Sequence, residues 1–369
     1  MGEIKYGPSD GTAIRYGLVG TGMMGVEHIQ NLLVTPGAEL VAIADPVESS
    51  RNAAKAALEG KPVREYASAA ELAADAGLDA VIVASPNHTH REALEPLFKA
   101  GVHILCEKPL ATTVPDAQWV VAQAKASQRL FWTAMEYRFM PPVAEFIREI
   151  HEHRIGRLRM LSIREHRFPF LPKVGDWNRF SANTGGTMVE KCCHFFDLMR
   201  HIVRSEPVLV YCSGGMDVNH VGERYAQGIP DIIDNSYTTV DFANGVRAML
   251  DLCMFADGAE QQEELTAVGG EARLDVFIPS GELVFSPRVG FMAPKRAQHW
   301  FVDTDEVALK AGSHHGSTFY QHQAFANAIR TGHPALVSAH DGLMAVAMGA
   351  AAELSARQKR AVPIAEMLG

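Results

Sequence analysis

Positive charge is in short supply in this sequence. Its 34 lysines and arginines face 43 acidic residues, a formal net charge of −9. That balance argues against nucleic acid and against an anionic membrane surface as main partners. Cysteine is scarce as well. The five residues Cys106, Cys192, Cys193, Cys212 and Cys253 show no C-x-x-C spacing. Their odd number fits reduced thiols in a cytoplasm, not a disulfide framework. No apolar run approaches the ~18 residues needed to span a bilayer, so no membrane partner is expected. Met1 to Gly11 is polar, without an apolar core or twin arginine, and no export signal is expected there. Internal repeats and low-complexity tracts are missing too. What is present is a chain of 369 residues, 47% hydrophobic and 21% charged. Those values describe a soluble globular protein with sizeable cores, and its length points to two domains.

Ile14 to Val19 is a short run rich in strand formers. Gly20-Thr21-Gly22-Met23-Met24-Gly25 follows, and then a helical pattern through Val26, Ile29, Leu32 and Leu33. This is G-x-G-x-x-G between a strand and a helix. Gly20 permits the tight turn, Gly22 lets the backbone approach a pyrophosphate, and Gly25 lets helix and strand pack closely. Met23 and Met24 complete the loop, and the helix start offers free amides to phosphate. A second strand, Glu39 to Ala44, ends in Asp45, about 20 residues past the glycines, where a carboxylate accepts from a ribose 2′-hydroxyl and repels a 2′-phosphate. NAD is therefore expected and NADP is less favoured. Arg51, one helical turn later, is the residue that would reverse that choice.

Strands and helices keep alternating. Ala67 to Ala74 reads as a helix with Ser68 and Glu71 as a capping box. Asp79 to Ala84 is a buried strand, and Ser85-Pro86-Asn87 turns at its carboxyl end, beside the expected nicotinamide ribose. His90, in the same turn, is counted with the cofactor contacts. Val102 to Leu105 then leads into Cys106-Glu107-Lys108-Pro109-Leu110. Pro109 biases Lys108 toward an extended backbone at a strand's carboxyl end, where open α/β sheets bind ligands. Leu130 to Ala134 is a last strand. Six parallel strands, five of them located above, with helices on both faces, an α/β doubly wound sheet, are expected over residues 1–134.

Past Met135 the pattern changes to long alternating runs. Leu158 to Phe168, Pro207 to Ser213, Ser236 to Phe242, Val246 to Met254, Glu264 to Val268 and Arg273 to Phe277 read as mostly antiparallel strands. An α+β domain around a broad sheet is expected over 135–369. The boundary carries no Gly/Ser linker, so the domains are expected to pack with the active site between them. Gly185 and Gly186 open an expected helix on which Glu190, His194 and Asp197 recur at i, i+4 and i+7, on one face. An acid and an imidazole on a buried face call for use or pairing. Two other readings stand beside catalysis: a Glu/His metal pair, for which no further ligand spacing stands out, and a core histidine bonded to its own helix acid.

Taken in order, Gly20 to Gly25, Asp45, Ser85-Pro86-Asn87, Glu107-Lys108-Pro109, Tyr137-Arg138-Phe139 and the Gly185 to Asp197 stretch resemble the glucose–fructose oxidoreductase / inositol dehydrogenase / MocA family. The resemblance covers nearly the whole chain and extends to the closing helices, Phe319 to Ala356. It implies an N-terminal Rossmann domain and a C-terminal α/β domain whose open sheet makes a homodimer or homotetramer. It also implies pyridine-nucleotide oxidation of sugars or cyclic polyols, with Lys108 and His194 as the catalytic pair. The family most often has Asp four residues before the histidine and Gly between; here Glu190 and Cys192 stand there.

The residue chemistry then gives a mechanism. His194 is the expected base and Lys108 the stabiliser of developing charge on the same oxygen. Glu190 orients substrate or the lysine amine, and Glu107 steadies Lys108 or the nicotinamide ribose. Tyr137, Arg138, Trp177, His314 and His315 are candidate lining for a hydroxyl-rich ring. Two rivals use the same parts: glycoside cleavage through transient oxidation by tightly held NAD, and a non-catalytic nucleotide-sensing protein.

Overall fold

The structure, a computed structural model, describes residues 13–74 and 77–369. The stretch Met1 to Gly11, read above for export signals, lies outside the described residues. The chain divides into two compact units, 1–139 with 305–343, and 140–304 with 344–369.

The first unit runs β1 (Ile14–Val19), α1 (Met23–Val34), β2 (Ala38–Ala44), α2 (Glu48–Ala57), β3 (Arg64–Tyr66), α3 (Ala69–Ala73), β4 (Ala80–Val83), α4 (His90–Ala100), β5 (His103–Glu107), α5 (Val114–Ala126) and β6 (Phe131–Ala134). All pairings are parallel, in the order β3-β2-β1-β4-β5-β6. The direction of winding reverses between β1 and β4, and such a switch point opens a crevice at the strands' carboxyl ends. Local chemistry explains the boundaries. Ser68 Oγ accepts from the Glu71 amide at 3.2 Å, and the Glu71 carboxylate accepts from the Ala67 amide at 2.9 Å. That is the expected capping box, with the glutamate reaching one residue further back. Gly101 ends α4 in the left-handed region, at φ 66°. Every residue of β4 is buried, as a central parallel strand requires.

The second unit continues with α6 (Pro141–His151), β7 (Leu158–His166), α7 (Ser181–Thr184), α8 (Thr187–Glu190), α9 (Cys193–Val203), β8 (Pro207–Gly215), β9 (Asn235–Phe242), β10 (Arg247–Cys253), β11 (Glu263–Gly269), β12 (Ala272–Ile278), β13 (Glu282–Pro287) and β14 (Gln298–Phe301). Then come α10 (Glu306–Lys310), α11 (Ser317–Thr331), α12 (Ala339–Gln358), β15 (Val362–Pro363) and α13 (Ile364–Leu368). The sheet has nine strands in the order β14-β13-β12-β11-β7-β10-β9-β8-β15, and β7 with β10 is its parallel pair. Along β9, buried Ser236, Thr238, Val240 and Phe242 alternate with exposed Tyr237, Thr239 and Asp241. One face is thus core and the other is open.

The compact units differ from the expected domains in one respect: 305–343 clusters with the first unit. Phe325 on α11 lies 6.3 Å from Tyr16 and 5.9 Å from Trp132, ring centre to centre, and the Thr133 amide donates to Val337 O at 3.1 Å. The returning chain buries apolar surface of the Rossmann sheet, so no linker is needed there. The Gly185 to Asp197 stretch is also not one helix. α8 ends at Glu190, α9 starts at Cys193, and the Cys192 amide reaches back five residues to Thr187 O at 3.2 Å. Glu190 therefore ends one short helix while His194 and Asp197 sit on the next.

Candidate active site

The dinucleotide loop is built by exclusion. Gly20 has φ 89°, and a Cβ there would stand 2.6 Å from Ala84 O, so β1 and the turn after β4 can approach only without a side chain. A Cβ at Gly25 would overlap Gly20 O, while one at Gly22 would meet nothing within 4 Å. The open side at Gly22 is what a pyrophosphate needs. Thr21, buried, and the Asn87 side-chain amide lie on this carboxyl edge, the Thr21 hydroxyl and the Asn87 Nδ2 both without a partner among the described residues. Sequence reasoning passed over Thr21, although it stands inside the motif. Met23 is 53% exposed and Met24 half-buried at the start of α1.

Asp45 is held at the end of β2. Its Oδ2 accepts from the Thr21 amide and its Oδ1 from the Val47 amide, both at 2.8 Å. Each oxygen keeps a lone pair for a ribose hydroxyl. Arg51 is turned to other work, donating to Asp45 O at 2.5 Å and lying 3.7 Å from the Glu65 carboxylate. The loop, the orphaned donors and the aimed carboxylate fit a dinucleotide.

Lys108 follows directly on β5, half-buried, and its bond to Pro109 is cis. Buried Glu107 folds back on it: Oε2 accepts from the Lys108 amide at 3.1 Å, and Oε1 meets His28 Nε2 at 3.0 Å. Burial pushes the Glu107 carboxyl up, but the His28 hydrogen bond and Lys108 hold it below its ordinary range. Glu136, in the turn after β6, is pushed up to about 7 by burial and by the Glu107 charge.

His90 departs from the expectation of a cofactor contact. Its ring is fully buried, with Nδ1 2.9 Å from Pro109 O and Nε2 3.0 Å from Ser85 O. It ties the Ser85 and Pro109 turns to each other, and burial lowers its pKa. Arg138 is likewise engaged, donating to Leu336 O at 3.0 Å and lying 3.5 Å from Asp341. Tyr137 is buried beside it. His314 Nδ1 lies 2.6 Å from Glu27 on α1, and that contact with Ser313 holds Glu27 at about 2 against the upward push of burial. His315, next in the chain, has φ 51°. The first unit thus carries Lys108, Glu107, Tyr137, Arg138, His314 and His315 as well as the dinucleotide loop.

The second unit carries the rest. His194 is the second residue of α9, and it and Glu190 are both buried. Glu190 Oε1 lies 3.4 Å from Lys173 Nζ, and the same ammonium sits 4.5 Å from the Trp177 ring centre. Lys173 therefore joins Glu190 to Trp177; sequence reasoning missed it because the link is set by the fold of 173–179. Lys191, between α8 and α9, bonds Glu165 at 3.0 Å. No cluster of metal-ligating side chains occurs among the described residues.

Comparison with known proteins divides the chain into two family domains. Residues 14–135 match the family model described as oxidoreductase family, NAD-binding Rossmann fold, and residues 147–364 match the oxidoreductase family C-terminal alpha/beta domain. The chain is 27% identical over 364 residues to myo-inositol 2-dehydrogenase of Thermotoga maritima, covering 96% of this chain and 100% of that one. It is 28% identical over 362 residues to inositol 2-dehydrogenase of Rhizobium meliloti, covering 95% and 99%. A levoglucosan dehydrogenase solved with NADH shares the fold, with a TM-score of 0.84 at 21% identity over 96% and 99% of the two chains. The chain is an oxidoreductase with an NAD-binding Rossmann domain, and it belongs to the glucose–fructose oxidoreductase, inositol dehydrogenase and MocA family.

Proposed function

We propose that this enzyme is an NAD-dependent dehydrogenase acting on a secondary hydroxyl of a sugar or, preferentially, an inositol-like cyclic polyol. The observation that carries the reading is the position of Lys108 at the carboxyl end of β5, on the same edge of the parallel sheet as the Gly20 loop and the Ser85 turn. Full-length similarity to proteins named inositol 2-dehydrogenases supports the substrate class.

The dinucleotide would be held by the Gly20–Gly25 loop, Thr21, Asp45 and the Ser85-Pro86-Asn87 turn. Bound NAD supplies a hydride acceptor. Asp45 and the engagement of Arg51 favour NAD over NADP. His194, in the first turn of α9, takes the hydroxyl proton at an imidazole nitrogen. Lys108 donates to the oxygen as negative charge develops. Glu190, its charge balanced by Lys173, orients the ring hydroxyls, and Trp177 offers an apolar face. The exposed side of the nine-stranded sheet, with Met160 58%, Tyr237 63% and Tyr211 43% exposed, supports self-association through that face.

The test is a panel of inositols and sugars with NAD, read as absorbance of reduced nicotinamide. The reading predicts sustained reduction with at least one cyclic polyol. Release of an aglycone from a glycoside, with NAD retained and no net reduction, would replace it with the glycoside-cleaving alternative.

A further inference from the structure

We infer that His28 is a positioning residue for Lys108, fixing the Glu107 carboxylate through a buried chain Glu107–His28–His322. The inference rests on the reading of Lys108 as catalytic. His28 is carried by α1, on the turn after Gly25, and is wholly buried, as is His322 on α11; Glu107 is 4% exposed. His28 Nε2 lies 3.0 Å from Glu107 Oε1, and His28 Nδ1 lies 2.9 Å from His322 Nε2, the two rings meeting edge to face at 87°.

The directions of these bonds follow from what each group can do. A carboxylate accepts only, so His28 Nε2 donates to it. A ring carrying one proton then has Nδ1 free to accept, and His322 Nε2 donates into it. That leaves His322 Nδ1 as a bare lone pair. The atom is buried without a partner among the described residues, which a lone pair tolerates better than an N–H. The opposite polarity would strand a buried N–H there. Burial keeps His322 well below the ordinary range.

The chain ends on the lysine. Glu107 Oε2 holds the Lys108 amide, so an anion pinned by His28 sets both the backbone and the field at Lys108. Glu107 is faced by His28 from α1, by Lys108 beside it, by Glu136 from the turn after β6, by His90 from α4 and by Cys106 on its own strand. His28 donates a side-chain hydrogen bond to it. Removing that donor leaves a buried carboxylate to rotate or take up a proton, and the negative charge that interacts with Lys108 is weakened.

Two variants separate the halves of the chain. In His28→Gln the side-chain amide can stand where Nε2 stood and keep the bond to Glu107; in His28→Asn it can reach only the Nδ1 position. The readout is acetylation of Lys108 by acetic anhydride across pH, followed by mass spectrometry, in enzyme without substrate. His28→Asn is expected to lower the Lys108 midpoint by ~0.5 unit or more, because an ammonium without its anion loses its proton more easily. With myo-inositol and NAD as the assay pair, its kcat is expected to fall about tenfold with KM nearly unchanged. His28→Gln is expected to restore both. An unchanged Lys108 midpoint in His28→Asn overturns the inference, and so does a His28→Gln as impaired as His28→Asn. Should His28→Asn fail to fold, Glu107→Gln is read in the same titration, and the same fall is required. Because acetylation needs no substrate, a failed activity assay beside a shifted midpoint rejects the assigned reaction, not the positioning role.

Discussion

Glu263 on β11 stands directly opposite Glu165 on β7 in the antiparallel register, and both carboxyl groups are buried. Two charges so placed cannot both be kept. Glu165 takes the cations, Lys191 Nζ at 3.0 Å and Arg167 Nη1 at 3.2 Å. Glu263 takes the proton, pushed up to about 8 by burial and by Glu165. Its folded pKa is raised above the unfolded value, so its contribution to stability is full below pH ~4.5 and is lost as pH rises through about 8. Melting temperature should therefore decline from pH 5 to pH 8.5 more steeply in wild type than in Glu263→Gln. The variant should gain about 2–5 °C at pH 8.5 and almost nothing at pH 5. Parallel pH profiles would show that Glu263 carries no proton.

Lys191 brings the same pair to bear on the candidate site, since it follows Glu190 in the turn between α8 and α9. Lys191→Met strips a cation from buried Glu165 at nearly constant length. A loss of about 3–5 kcal/mol is expected at neutral pH, measured by denaturant unfolding. Lys191→Met combined with Glu165→Gln should recover most of it, because no uncompensated charge then remains. Equal stability of the single and double variants would mean that the ion pair does not anchor the turn.

The parts of this architecture that could be read in the sequence are those whose causes are local. Gly20, Gly25, Ser68, Gly101 and Pro109 each determine a turn or cap within a few residues, and the Rossmann sheet followed from them. The short edge strand Arg64–Tyr66 was not legible, being three residues long with two exposed. The outer strands β13 and β14 are only partly buried, so their alternation is weak. The break at Lys191 and Cys192 depends on Glu165, which lies on a strand earlier in the chain. His28 looked like one more helix residue because its ring partner is 294 positions away. Chemistry-bearing residues were found by type and spacing; the partners that orient them depend on contacts no local pattern records.

Cofactor choice is testable at Asp45. The carboxylate is aimed by two backbone amides, and Arg51 is bound to Asp45 O and Glu65. Titration calorimetry should show NAD bound at least tenfold more tightly than NADP, a difference of ~1.4 kcal/mol. Asp45→Ala should weaken NAD and narrow the gap, since the 2′-phosphate no longer meets a negative charge. Equal affinities in the wild type would mean that Arg51 leaves its partners to receive the phosphate.

Lys108→Ala separates the cofactor role from the chemical one. The side chain acts on developing charge, so kcat should fall ~10²-fold or more while NAD affinity stays within about threefold. Stopped-flow reduction of bound NAD would locate the loss in the chemical step. Collapse of NAD binding with turnover spared would make Lys108 a cofactor ligand.

His194 and Glu190 give the sharpest division between acid–base chemistry and the readings that compete with it. His194→Asn keeps size and hydrogen bonding but cannot carry a proton, so turnover should drop ~10²–10⁴-fold with the melting temperature nearly unchanged. Glu190→Gln removes the charge that faces Lys173 at 3.4 Å. Its KM should rise, with a smaller loss of kcat than the histidine change. Glu190→Asp keeps the charge but withdraws it from Lys173 by one methylene. If the glutamate serves only to present a carboxylate to substrate, activity should survive within ~10-fold or shift to other ring polyols. A Glu/His metal pair predicts otherwise: each single change would release an ion, and chelator would inactivate the wild type. Full turnover in His194→Asn, or inactivation by EDTA reversed by zinc, would end the acid–base reading. A pH profile of kcat/KM whose acidic limb persists in Glu190→Gln and disappears in His194→Asn would assign the proton to the imidazole.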